Sequence, residues 1–218
     1  MLGISIYKNK ANFIRTSKLS NNDLCVTHHG SYEYSDLNRT ITSCLKDIIK
    51  NEDITNENSV SLILDTQFCL FNQVFCDDVD SLDFHGSISG FSDIENLDSY
   101  YYPMGFRDDR YLGVHIDNKL KQKMVDSVDK LGFNVDGISL GIFSAEKLAS
   151  TVFKAKSLSK YVIVRFITSS SLEVIYINDG LFSLYGRFNI VKNKINPIKV
   201  FGDKSSIDDV VLTLEQIV

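Results

Sequence analysis

Between Tyr111 and Ile190 the apolar residues change period several times, and few architectures accept the resulting order of elements. Tyr111-Leu112-Gly113-Val114 reads as a strand. A helix then opens at Asp117, a good N-cap, and stops at Gly132, a good C′ residue. Leu120, Met124, Val125, Val128 and Leu131 recur at helical spacing, while Lys119, Lys121, Lys123, Asp126 and Lys130 fall on the solvated side. Phe133–Leu140 is a second strand, ended by Gly141, and Ser144 is expected to cap a second helix with Ala145 and Glu146 in its first turn. Tyr161–Phe166, Leu172–Ile177 and Leu181–Phe188 follow as strands, the last two joined by the Asn178-Asp179-Gly180 turn. Strand, helix, strand, helix and then three strands predict a mixed α/β sheet protein.

The rest of the chain supplies two more groups of strands. Leu2–Tyr7, Asn12–Thr16 and Leu24–His29 are strand-like, the first pair a hairpin, and a helix follows from about Ser35 with Leu37, Ile41, Cys44, Leu45, Ile48 and Ile49 on one face. Asn51–Asn58 reads as a polar connector, and Val60–Leu64 and Phe68–Phe75 as strands. Cys76-Asp77-Asp78-Val79-Asp80 is an acidic turn, and Ser81–Gly105 is irregular, holding the aromatic cluster Tyr100-Tyr101-Tyr102-Pro103-Met104. Three consecutive tyrosines cannot all face one side of a strand, so at least one should point outward, where it would serve as an interface anchor. After a short edge strand at Pro197–Phe201, a last helix starts at Ser206 with Val210, Val211, Leu214 and Ile217 inward.

Composition narrows the function classes. A net charge of −5 without clustered Lys and Arg argues against a nucleic-acid partner. The N-terminus lacks the basic start and apolar core of a signal peptide, and no run approaches the roughly 18 apolar residues of a membrane span, so a cytoplasmic protein is expected. Four cysteines fit a reducing compartment. Cys25, His28, His29 and Cys44 match no zinc spacing, nor do Cys69 and Cys76, so no metal site is expected. His28, His29, His85 and His115 show no catalytic partner in the sequence, and each is assigned a structural role. No Ser–His–Asp pattern, Gly-rich phosphate loop or HExxH motif is present, so no catalytic residue is assigned.

Strands, a helix, an intervening α/β segment, and strands with a helix again form a duplicated layout, and specific residues then carry a family resemblance. Leu2–Ile6 with Ala11–Ile14 resembles the opening hairpin of the actin-like ATPase fold, and Tyr161–Phe166 with Ser169–Val174 resembles its second-lobe counterpart. Within that fold the chain is similar to the PilM type of type IV pilus assembly protein, to FtsA, and to the cytoplasmic domain of the type II secretion L protein. Leu112-Gly113-Val114, Lys130–Phe133 and Asp136–Ala145 follow the family's strand–helix–strand–helix order, and Val60–Asp65 with Leu70–Asp78 resembles the strand pair before its inserted subdomain.

The resemblance implies actin-like, ribonuclease H-like lobes of βββαβα type: residues 1–155 as the first, with an insertion around 60–135, and 156–218 as a truncated second. It also locates departures. Actin-like ATPases place Asp and Gly in each phosphate hairpin; here Ser5 and Tyr7 stand at the first, and Arg165 and Ile167, followed by Ser169 and Ser170, at the second. No cofactor is therefore expected, with ATP and magnesium disfavoured. The implied function is a non-catalytic scaffold at the inner face of the inner membrane, docked to the cytoplasmic tail of a platform protein and peripheral to the membrane only through it; a homo-oligomer is compatible with this. Tyr100, Tyr101, Tyr102 and Phe106 are the candidate docking residues. The alternative is a reduced actin-like or ribonuclease H-like phosphotransferase or hydrolase using Asp65, Asp77 and Asp78 around magnesium.

Overall fold

The computed structural model describes residues 2–20, 24–33, 37–52, 59–75, 96–105, 107, 109–152 and 158–217. They divide into two compact units, each discontinuous in sequence: Met1–Cys69 with Ile116–Gly141, and Leu70–His115 with Ile142–Val218.

The first unit is built on β1 (Leu2–Ile6), whose alternate residues Leu2, Ile4 and Ile6 are fully buried. It pairs antiparallel with β2 (Lys10–Lys18) and parallel with β4 (Ser59–Leu64), and β3 (Leu24–Glu33) pairs with β2. The sheet order is β3-β2-β1-β4-β8, with β8 (Asn134–Leu140) parallel to β4. Val60, Leu62 and Leu64 bury the matching face of β4; each such side chain contributes about 1.5–3 kcal/mol. The parallel strands need crossovers, and α1 (Leu37–Glu52) and α2 (Asn118–Asp129) are the helices on those paths. α1 runs into the stretch read as a connector, and its Ile41, Cys44 and Leu45 are buried as the helical spacing predicts.

α2 begins and ends as expected. The Asp117 carboxylate accepts from Lys119 N–H at 2.8 Å, and Gly132 has φ +82°. Phe133 N–H donates to Val128 C=O and Gly132 N–H to Asp129 C=O, the two bonds of a Schellman stop that a Cβ at Gly132 would strain.

β5 (Cys69–Phe75), β7 (Arg110–Asp117) and β6 (Leu97–Pro103), which fall in the second unit but for Cys69, Ile116 and Asp117, form a three-stranded sheet in the order β5-β7-β6. The consecutive strands β4 and β5 are thus not partners: Asp65 and the 3-10 turn Thr66–Phe68 separate two sheets. α3 starts at Gly141, three residues before the expected cap Ser144, because Ile142 and Phe143 bury their side chains from its first turn (α3, Gly141–Val152).

A four-stranded antiparallel meander follows, β9 (Lys160–Thr168), β10 (Ser171–Asn178), β11 (Leu181–Val191) and β12 (Lys194–Gly202), then α4 (Ile207–Glu215). β12 is longer than the edge strand expected at Pro197–Phe201. Its core comprises Leu172, Val174, Tyr176, Leu184, Phe188 and Ile195 with Val210 and Leu214 of α4. Ile217, expected inward, is 56% exposed because the helix ends before it.

Candidate functional site

Ser5 sits within β1, opposite Asn12 of β2 and Ile63 of β4. Tyr7 closes the hairpin turn: its N–H donates to Lys10 C=O at 2.8 Å, and the Lys10 ammonium lies 5.2 Å from its ring centroid. The turn therefore presents a phenol and two ammonium groups, with no carboxylate among its residues Tyr7–Lys10.

The second hairpin belongs to the other unit. Arg165 of β9 faces Glu173 of β10 in register, and its guanidinium Nε pairs directly with the Glu173 carboxylate. Glu173 is fully buried, and Tyr185 Oη of β11 donates to its other oxygen at 3.1 Å. Burying a carboxylate is tolerated only with such partners. Arg165 is thereby held across three strands. Ile167 is half-buried on β9, and Ser169 and Ser170 form the turn, with Ser170 N–H donating to Thr168 Oγ1 at 3.2 Å.

The aromatic cluster is a strand, not the irregular segment expected. On β6 the side chains alternate: Tyr100 is 43% exposed, Tyr101 lies edge-on to His115 at 5.9 Å, and Tyr102 stacks on Phe143 of α3 at 4.6 Å. Phe106 lies outside the described residues. Of the described candidate docking residues, Tyr100 offers the most exposed ring.

His115 is where sequence reasoning missed a site-like arrangement. It is fully buried in the central strand β7, with Nδ1 2.8 Å from Ser99 Oγ of β6 and Nε2 2.9 Å from Asn72 Oδ1 of β5. Asn72 Oδ1 can only accept, so Nε2 carries the proton and Ser99 donates to Nδ1. Burial pushes the imidazole below its ordinary pKa, which keeps it neutral at pH 7. Gly113 makes room for this bridge: a Cβ there would stand 2.1 Å from Asn72 Oδ1. The sequence signal was slight, a Gly and a His two apart on one strand face. Ser99, His115 and Asn72 join three strands.

Of the alternative's acids, Asp65 is buried at the end of β4 and caps the following 3-10 turn, accepting from Gln67 N–H at 2.9 Å, while its own N–H donates to Ile6 C=O. Asp77 and Asp78 lie outside the described residues, as do Cys76 and His85. Among the described residues no cluster of three His, Cys, Asp or Glu side chains is arranged to hold a metal, and no helix is long and apolar enough to cross a membrane.

The order β3-β2-β1-β4-β8, with β2 alone antiparallel to the sheet's parallel strands β1, β4 and β8, defines a ribonuclease H-like sheet, and the fold class is the actin-like one that the resemblance implied. Solved structures share it, among them the following two. The cytoplasmic domain of EpsL, an inner-membrane component of the type II secretion system of Vibrio cholerae, superimposes with a TM-score of 0.54 at 11% identity, over 87% of this chain and 69% of that one. A structure of the PilM–PilN type IV pilus biogenesis complex gives 0.59 at 10% identity, over 99% and 68%. At these identities the likeness is one of fold. No protein-family model and no curated protein matches the sequence.

Proposed function

We propose that this chain is a non-catalytic actin-like scaffold that docks onto the cytoplasmic tail of an inner-membrane protein in a pilus or secretion assembly. The observation that carries this reading is the Arg165–Glu173–Tyr185 network. At the hairpin where the resemblance puts the second phosphate loop, the cation is already neutralised by a buried carboxylate. At the first, Ser5 and Tyr7 replace the acid that would steady a magnesium shell and the Gly that would open the backbone to phosphate. These residues do not fit a magnesium nucleotide held in the actin-like manner. Asp65, the alternative's one described acid, is engaged as a cap.

With this reading go the lobe assignment of 1–155 and 156–218, a place at the inner membrane through the partner, and Tyr100 as the first docking residue to test. Calorimetric titration with ATP and magnesium should give no binding heat, and a thermal-shift assay no stabilisation. A ligand specific to the folded state would add about 2.7 kcal/mol at a hundredfold excess over its Kd; such a gain would overturn the non-catalytic reading. The docking half is tested by fluorescence anisotropy with tail peptides of inner-membrane proteins encoded beside this one. Binding that Tyr100→Ala weakens is expected, and the absence of any binding peptide would remove the scaffold.

A further inference from the structure

The second unit contains a cavity of about 580 Å³ lined by Gln73 and Phe75 of β5, Arg107 and Arg110, Gly202 at the end of β12, and Asp203 and Lys204 after it. Its size is that of ordinary small-ligand sites. Among its described lining residues three are cationic and one is a carboxylate, in a chain whose net charge is −5.

Each cation is positioned by a different local device. Arg107 N–H donates to Met104 C=O at 3.2 Å and Arg110 N–H to Arg107 C=O at 3.3 Å, which ties the backbone at both residues. Arg110 lies over the Phe75 ring, 4.6 Å from its centroid, which fixes its plane. Lys204 opens the 3-10 turn after Asp203. The Asp203 carboxylate is committed to that turn: it accepts from Ser205 N–H at 3.0 Å, from Ser205 Oγ at 2.7 Å and from Ser206 Oγ at 2.9 Å. Its charge thus serves Ser205 and Ser206. Among the described residues neither Arg107 nor Lys204 forms an ion pair. Gln73 is oriented by Gly202, whose N–H donates to its Oε1 at 3.3 Å, leaving its NH2 group as a donor. Phe75, 61% exposed, offers a flat apolar wall beside these donors.

We infer that this cavity binds a phosphate-class anion of at least two charges, free or borne on a lipid headgroup, through Arg107 and Lys204. A planar guanidinium fork with an ammonium matches phosphate oxygens, and cations already assembled need little ordering on binding. This site is independent of the scaffold reading.

The test is pyrophosphate titration by calorimetry on the full chain, alongside sedimentation with phosphatidylcholine vesicles with and without phosphatidylglycerol. The Arg107→Gln/Lys204→Gln double variant, which replaces exposed side chains, should weaken binding about tenfold, the size expected for losing charge-assisted contacts. Lys192→Gln/Lys194→Gln removes the same charge at the β11–β12 turn and should leave binding unchanged, with melting curves confirming that both variants fold. Pyrophosphate binding lost in the first variant identifies a free phosphate ligand; retention by phosphatidylglycerol vesicles alone, lost in the same variant, identifies a headgroup. Absence of both, or equal weakening by the two double variants, overturns the site.

Discussion

Glu173 is a carboxylate in the interior of an otherwise apolar strand, and its energetics follow from its neighbours rather than from its own chemistry. Arg165→Met would take an ion-pair partner from that buried charge and should cost about 3 kcal/mol in urea unfolding. Adding Glu173→Leu should recover most of the loss, because removing both charges is far cheaper than removing one; equal midpoints for the single and double variants would contradict the pairing. His115 gives a pH dependence of definite sign. Burial lowers its folded pKa below the ordinary 6.5, so above that value both folded and unfolded forms are neutral and the group contributes no slope. As the pH falls through 6.5 the unfolded chain takes up the proton first and stability declines, levelling off below the folded pKa. His115→Gln should flatten this part of the stability profile between pH 8 and pH 5.5. Neither arrangement was readable beforehand in full. Arg165 is a charge in the otherwise apolar run Tyr161–Phe166. Its partner is a cross-strand register neighbour, though, and register is set by the hairpin turn and the bulge near Ser171, not by local composition.

At the scale of elements, legibility tracked how local the determining forces are. α2 was readable to the residue because its cap and its stop are both backbone hydrogen bonds made within a few positions of the chain. Asp117→Ala should accordingly destabilise the first unit by about 1 kcal/mol, measured by thermal or chemical unfolding, and Asp117→Asn by much less. α3 was misplaced by three residues because Ser144 is a plausible cap, whereas burial of Ile142 and Phe143 decides where the helix begins. β6 was missed altogether. Its sequence Leu-Asp-Ser-Tyr-Tyr-Tyr-Pro shows no apolar alternation, since Tyr102 packs on Phe143 while Tyr101 and Ser99 meet His115 on the other face. A strand covered on both sides by aromatic and polar groups leaves no period-two signal.

At the scale of the molecule, the alternation of strands and helices specified an α/β protein, and the motif resemblance specified the actin-like class; the sheet order needed the structure. Cys44 reports on the integrity of the first unit. Burial, reinforced by Asp47, pushes its thiol up to about 12, so almost none is thiolate at pH 8. Peptide mapping after iodoacetamide treatment should find exposed Cys25 alkylated in the native protein and Cys44 only under denaturant; labelling of Cys44 at the native rate of Cys25 would show that the α1 packing opens readily. The excursion between β4 and α2 carries one more consequence, which concerns the order of synthesis. β4 emerges from the ribosome with its buried edge bare, and its partner β8 begins at Asn134, after the whole three-stranded sheet has been made. The earlier-made strands must wait for a later stretch before their sheet is complete, so chains halted after β5 would leave the backbone N–H and C=O groups of β4 bare along an open edge and present a target for chaperones and proteases.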